Sequence, residues 1–400
     1  MKRLKEMKRL NKIAVLMRNY IPDNNAITYV INPTILELAK SNKIDIFCLG
    51  NFKKNNFKIV SKNINVIRIN DNNWIIFFWK KLIYKLSNYD KNRMLNLRKY
   101  KNVVKKHFKK KKYDLLISTS FPFCLHELAS ELKNKYEFIW IAYQFDPYSL
   151  NQFINNKSMI NHEINVLKSA NYILVPKENF IENTNSALSS LKNKYKIVLY
   201  PIIDLHQEKN TNSDYLKIVY AGVFYENLRE PFAPLKIIES INIKKEVNLH
   251  YICSDKLNNK IKEEINKIDY TINLYRNSPK IECNKAIINS SILLNIGNKA
   301  SNQTPSKVFE YISYCKPILN FYYDDNDTSY KILKKYPLAI NYKIGTEFKG
   351  DLNKKILKVI NESINYEDLK KIFVDETTSY IDNAKFINDL LIVHNEGENI

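Results

Sequence analysis

Short, wholly apolar runs alternate with helix-length segments along this chain, and the alternation comes in two series. Lys12–Met17 reads as a buried strand, followed by a polar loop Arg18–Thr28, a helix over Tyr29–Lys40 and a second strand over Ile44–Leu49. Strands at Leu115–Ser118, Phe138–Ala142, Tyr172–Val175 and Lys196–Leu199 continue the series, with helices over Leu125–Leu132 and Ile160–Lys168. Strands that are apolar on both faces belong in a parallel sheet covered by helices on each side. Pro201 and the polar stretch Asp204–Asp214 interrupt the pattern, and a strand at Leu216–Tyr220 starts it again. The second series has helices over Pro234–Ile243 and Ser306–Tyr314, strands at Asn248–Cys253, Ile292–Ile296 and Pro317–Phe321, and terminal helices from Leu352. The expected architecture is therefore α/β, with two Rossmann-like domains, residues 1–203 and 204–400, whose parallel sheets face each other across a cleft. The terminal helices are expected to cross back to the first domain. A chain of 400 residues exceeds what one hydrophobic core organises, which agrees with two domains.

The chemistry of the chain narrows its function classes. With 45% hydrophobic and 26% charged residues it buries a sizeable core, which excludes disorder and collagen-like or coiled-coil composition. Its five cysteines are scattered and form no CxxC pair, so neither a disulfide framework nor a zinc site is expected, and a reducing cytosol fits. The six histidines are dispersed without metal-ligand spacing. The apolar run Ile13–Met17 is too short for a signal-peptide core, and Lys80 and Lys81 cut the aromatic stretch Trp74–Trp79, so no exported or membrane-spanning segment is expected.

The formal charge of +22 is concentrated in residues 1–12 and 80–112, so the basic surface is local. Trp79, Ile83 and Leu86 fall on one helical stripe within Trp74–Leu86, ahead of the Lys-rich run to Lys112. Basic amphipathic helices with aromatics favour anionic headgroups, at about 1 kcal/mol per Lys or Arg near the surface. Residues 74–112 are accordingly expected to hold the chain on an anionic membrane surface. The alternative is a core-packing helix with a solvated basic face.

In open α/β sheets ligands bind beyond the carboxyl ends of the strands. The loops Arg18–Thr28, Thr119–Phe123, Gln144–Ser149, Ala221–Glu230 and Gly297–Ser306 are the places to look. Thr304-Pro-Ser-Lys-Val-Phe-Glu-Tyr-Ile-Ser-Tyr-Cys-Lys-Pro317 is the most informative segment. Thr304 or Ser306 can cap a helix whose free backbone N–H groups and positive dipole end suit a diphosphate. Lys307 and Glu310, three residues apart, share one helix face, offering a cation for phosphate and a carboxylate for sugar hydroxyls. The same residues also read as a capped helix with a surface ion pair.

The segment closely resembles the donor-site helix of GT-B glycosyltransferases, in particular the family 4-like group with its P-S-K-x-x-E-Y-x-x-x-x-K-P pattern. Tyr220–Pro231 is similar to the first loop of that family's C-terminal domain, with Gly222 where backbone approaches the phosphates and Arg229 where a basic residue grips them. Ile139–Tyr148 is similar to the family's strand ending in an Asp, here Asp146, which points into the cleft.

The resemblance implies a GT-B fold and metal-independent transfer of a sugar, with retention of configuration, from a nucleoside-diphosphate donor, UDP-sugar favoured. The acceptor is expected to be a glycan or lipid-linked sugar of a surface polysaccharide, at the cytoplasmic face of a bacterial inner membrane. Glu310 would hydrogen-bond the ribose, while Arg229, Lys307 and the helix start with Thr304 and Ser306 would stabilise the leaving diphosphate. Asn24, Asn25, His126 and Asp146 are the acceptor-side candidates, and Asp146 is the base an inverting course would require. The chain departs from the group at Asn302, where many members have a second Glu, at Pro22–Ala26 in place of a Gly pair, and at Val223 in place of a second basic residue. The departures at Asn302 and Val223 motivate an alternative, a non-catalytic or regulatory nucleotide-sugar binder. A rival of another class is a nucleic-acid-binding protein using residues 80–112, but the run matches no nucleic-acid motif and no nucleic-acid partner is expected. Asp324–Asp327 contains a D-x-D that reads as a solvated turn, and no metal site is expected.

Overall fold

The computed structural model describes residues 10–21, 26–50, 61–70, 98–120, 122–145, 148–150, 157–206, 215–299, 306–347 and 351–397. The chain divides into two compact units, Met1–Leu199 with Thr378–Ile400, and Tyr200–Thr377.

The first unit runs β1 (Asn11–Leu16), α1 (Ala26–Leu38), β2 (Asn42–Leu49), β3 (Ile64–Ile69), α2 (Arg98–Lys110), β4 (Leu115–Thr119), α3 (Cys124–Lys133), β5 (Ile139–Tyr143), α4 (Lys157–Leu167), β6 (Tyr172–Val175), α5 (Lys177–Thr184), a 3-10 helix (Ala187–Lys194) and β7 (Tyr195–Ile197). Its strands order as β3-β2-β1-β4-β5-β6-β7, every pair parallel. The central strands β4 and β5 are buried along their whole length, as a sheet covered on both faces requires. The basic helix α2 is held by Tyr100, Val104 and Phe108, spaced four apart and all buried. The Tyr100 hydroxyl donates to the Phe47 carbonyl at 2.7 Å, tying that helix to β2.

The second unit runs β8 (Leu216–Val223), α6 (Phe232–Glu239), β9 (Lys245–Ile252), α7 (Asp255–Ile265), β10 (Thr271–Arg276), α8 (Lys280–Ile288), β11 (Ile292–Ile296), α9 (Ser306–Ser313), β12 (Ile318–Tyr322), α10 (Thr328–Leu333), β13 (Ala339–Lys343), α11 (Leu352–Asn361) and α12 (Tyr366–Ile372). A last helix, α13 (Val374–Gly397), starts in this unit, and its residues from Thr378 belong to the first. The sheet order is β10-β9-β8-β11-β12-β13, again all parallel. Both sheets thus follow the Rossmann order, reversing direction between their first and fourth strands. Side-chain caps start the helices where the sequence offers them: Ser254 accepts from the Leu257 N–H at 3.2 Å and Asp351 from the Lys354 N–H at 3.1 Å.

Several elements differ from the sequence expectation. Three strands, β3, β10 and β13, and the helices α5, α7, α8 and α10 arise from segments to which the sequence reading assigns no element. The strand β8 extends to Val223, so Gly222 lies within a strand rather than in the loop after it. The amphipathic stretch Trp74–Leu86 lies outside the described residues. Among the described residues, no helix is long and apolar enough to cross a membrane.

Candidate functional site

At the reversal point of the second sheet, the ladder between β8 and β11 consists of Ile218 with Ile292 and Val219 with Leu293. Beyond it, the N–H of Ala221 donates at 2.8 Å to the Tyr311 hydroxyl of α9, which fastens that helix to the carboxyl end of β8. Gly222 follows. A Cβ there would stand 2.8 Å from the Tyr220 hydroxyl, which donates to the Val223 carbonyl at 3.0 Å, so the glycine makes room for its neighbour's phenol. The chain then turns tightly, with Tyr225 and Arg229 exchanging backbone bonds of 2.9 and 3.0 Å and Asn227 at a φ of 63°. Asn tolerates that left-handed conformation better than most residues. Arg229 is oriented from the other side of the reversal point, its Nε donating to Asn298 Oδ1 at 3.0 Å in the loop after β11. Its neighbour Glu230 is anchored by Lys299 at 3.0 Å. Burial would raise the Glu230 carboxyl, but the hydrogen bond from Lys299 and its charge hold it below the usual range.

Helix α9 carries Ser306, Lys307 and Glu310. Ser306 is its first residue, while Thr304 and Asn302 lie outside the described residues. Lys307 Nζ meets Glu310 Oε2 at 3.0 Å, and Lys280, the first residue of α8, binds Glu310 Oε1. The Glu310 side chain is 9% exposed, so this is not the solvated pair of an ordinary helix face. Burial pushes its pKa up, but the charges of Lys307 and Lys280 outweigh that and bring it to about 2. Burial also lowers Lys307 to about 8, with Glu310 opposing the shift and Lys280 adding to it. An ammonium has three donors, and one of those on Lys307 is used on Glu310. The site can therefore present a carboxylate acceptor and cationic donors from one helix face.

In the first sheet the reversal point lies between β1 and β4. His126, near the start of α3, is fully buried, its Nδ1 2.7 Å from Ser118 Oγ, which accepts from Trp140 Nε1 at 2.8 Å. Burial depresses its pKa to about 3, so the ring is neutral, and its Nε2 has no partner among the described residues. Asp146, Asn24 and Asn25 lie outside the described residues. The residues flanking Asp146 are anchored, however: Glu163 of α4 accepts from Gln144 Nε2 on one side and from the Ser149 N–H at 3.0 Å on the other. Tyr148 stacks on Phe123 with ring centres 3.9 Å apart.

The Asp324–Asp327 run is divided among separate tasks: Asp325 pairs with Lys343 at 2.6 Å and Asp327 caps α10, accepting from the Tyr330 N–H at 2.9 Å. Among the described residues, no group of three His, Cys, Asp or Glu is placed to hold a metal ion. None of the five cysteines is in a disulfide. On α2, Lys101 and Lys105 pair with Glu131 of α3, while Arg98, Lys99, Lys106, Lys109 and Lys110 are exposed.

Sequence reasoning did not find Lys280, Asn298 or Glu163. Each acts on a residue of another element, at 30, 69 and 14 to 19 positions' distance, and no local pattern marks it. Tyr311 had a signal, since it directly follows Glu310 in the segment singled out.

No family model and no curated protein matches the chain. Solved structures do, over nearly its whole length. The lipopolysaccharide outer core galactosyltransferase WaaB aligns over 94% of this chain and 99% of its own, at 14% identity and a TM-score of 0.50. The sucrose-phosphate synthase of Thermosynechococcus elongatus covers 95% of this chain and 94% of its own, at 11% identity and a TM-score of 0.57. HepE of Anabaena, solved with UDP and glucose, covers 97% and 98%, at 11% identity and 0.52. All three are GT-B proteins, and the two parallel sheets match theirs. The chain has the GT-B fold. Within this GT-B chain the reversal point of the second sheet gathers Gly222, Arg229 and the start of α9, and His126 stands near that of the first.

Proposed function

We propose that this GT-B chain is a glycosyltransferase that moves a sugar from a nucleoside-diphosphate donor, UDP-sugar favoured, to a glycan or lipid-linked acceptor in surface-polysaccharide synthesis. The observation that carries the reading is the buried Lys307–Glu310 pair on α9, fastened through Tyr311 to the end of β8. Two of the similar structures support it: WaaB is a galactosyltransferase, and HepE holds UDP and glucose.

In this reading the second unit binds the donor and the first the acceptor. Glu310 accepts from the ribose hydroxyls. Charge builds on the diphosphate as the glycosidic bond breaks, and Arg229, Lys307 and the N–H groups at the start of α9 stabilise it. Side-chain cations thereby do what a divalent ion does elsewhere, and the course is retaining and metal-independent. Asp146 and His126 stand on the acceptor side, with Asn24 and Asn25. The exposed cations of α2 and the aromatic stretch before it hold the enzyme peripherally on an anionic membrane at its cytoplasmic face.

Calorimetric titration of UDP, GDP and CMP into wild type and Glu310→Ala tests the reading. Selective binding of one nucleotide, weakened at least about tenfold by the substitution, is expected. A folded protein that binds none of them overturns it.

A further inference from the structure

We propose that Lys280 is a positioning residue of the nucleotide site: from the start of α8 it holds the Glu310 carboxylate, which leaves Lys307 donors free for a diphosphate. This inference rests on the reading of α9 as the donor helix.

Glu310 has two oxygens, and each is taken by a different ammonium, Oε1 by Lys280 and Oε2 by Lys307. Without Lys280, the carboxylate would be free to turn both oxygens onto Lys307, and the helix's own cation for the phosphates would be consumed within the helix. With Lys280 in place, the carboxylate is fixed from outside the helix, and Lys307 uses one donor on it.

The charge balance points the same way. Among the described residues, the groups facing this cluster are Lys280 and Cys283 from α8 and Lys307, Glu310, Tyr311 and Tyr314 from α9. Burial raises the Cys283 thiol and both tyrosine hydroxyls, so none of these supplies a negative charge. Among the described residues, one carboxylate therefore faces two ammoniums whose side chains are only 23% and 25% exposed. A partly desolvated cluster with an unmatched positive charge is costly unless an anion joins it. With the carboxylate held by Lys280, the unmatched charge is left on Lys307, and a diphosphate would complete it.

UDP titrated calorimetrically into wild type, Lys280→Met, Lys280→Arg, Glu310→Ala and the Lys280→Met/Glu310→Ala double variant tests the proposal, with melting temperature as the folding control. Lys280→Met should weaken UDP about tenfold at neutral pH while Lys280→Arg stays near wild type. Because Lys280 acts through Glu310, adding Lys280→Met to Glu310→Ala should cost nothing further. The loss of affinity at alkaline pH, which follows the Lys307 proton, should also move to higher pH in Lys280→Met, since a neighbouring cation has gone. Unchanged affinity in Lys280→Met, or effects that add in the double variant, overturns the positioning role and leaves the donor site standing. A folded wild type that binds no UDP, GDP or CMP overturns the donor reading and this inference with it.

Discussion

Lys307 Nζ lies 3.0 Å from Glu310 Oε2, one turn along the same helix, with side chains 23% and 9% exposed. The chain has other lysine–acid pairs at the same spacing, such as Lys370 with Glu367 at 2.7 Å, but those are open to water. An exposed pair contributes tenths of a kcal/mol and constrains little. The α9 pair differs because burial removes the solvent that would otherwise satisfy each group, so the two must be satisfied by one another, by Lys280, or by a ligand.

That burial sets a pH dependence. Lys307 titrates near 8, so UDP affinity should be flat at lower pH and fall progressively above about pH 8 as the ammonium is lost. Glu310 has the opposite linkage: lowered from 4.5 to about 2, it contributes stability that is present above pH 4.5 and lost as pH falls toward 2. Calorimetry across a pH series reads the first, and acid titration of wild type against Glu310→Gln by circular dichroism reads the second. An affinity that rises through pH 9 would count against Lys307 as the phosphate cation.

Arg229 and Asn298 should separate chemistry from orientation. Arg229→Ala removes a cation from the developing charge and is expected to lower kcat on the order of a hundredfold, about 3 kcal/mol. Asn298→Ala keeps the cation but deletes the 3.0 Å bond that orients its Nε, so a smaller loss in kcat/KM, about tenfold, is expected with melting temperature retained. Steady-state rates with the donor identified by nucleotide binding measure both.

An asparagine ladder across the second sheet offers a stability test away from the site. Asn295 Nδ2 donates to Asn320 Oδ1 and Asn320 Nδ2 donates to Asn341 Oδ1, each at 2.7 Å, and Asn320 is fully buried. These residues sit opposite one another in the β11-β12-β13 register, so one amide satisfies the next. Asn320→Ala strands both partners and should cost about 1–3 kcal/mol in urea unfolding. The control Asn326→Ala, on an exposed turn, should change stability by under about 0.5 kcal/mol.

The cations of α2 divide into two sets, and charge reversal should tell them apart. Reversing Lys106, Lys109 and Lys110 to Glu is expected to lower partitioning onto anionic vesicles on the order of a hundredfold, at about 1 kcal/mol per cation, with little change in stability. Reversing Lys101 and Lys105 sets them against Glu131 and should reduce stability as well. Equal vesicle binding by wild type and the first variant would sink the membrane role.

The central strands were legible in the sequence because both of their faces are buried. β1, β2, β4, β5, β6, β11 and β12 each show as an apolar run, and the helix α9 shows through its Pro-Ser-Lys start and its Lys307–Glu310 spacing. The unforeseen strands β3, β10 and β13 are all edge strands, flanked by one neighbour and largely half-exposed, so water-compatible residues interrupt their hydrophobic pattern. Gly222 was legible as a special position, but the Tyr220 hydroxyl packed where its Cβ would stand was not. Local order and the parallel α/β class are thus consequences of composition along short windows. What only the tertiary structure decided is which distant groups share a charge or a hydrogen bond: Lys280 with Glu310, Asn298 with Arg229, and Glu163 with the two ends of the loop around Asp146. Electrostatic and hydrogen-bond partners are chosen by distance in space and by the exclusion of water, and neither quantity exists until the sheets have folded.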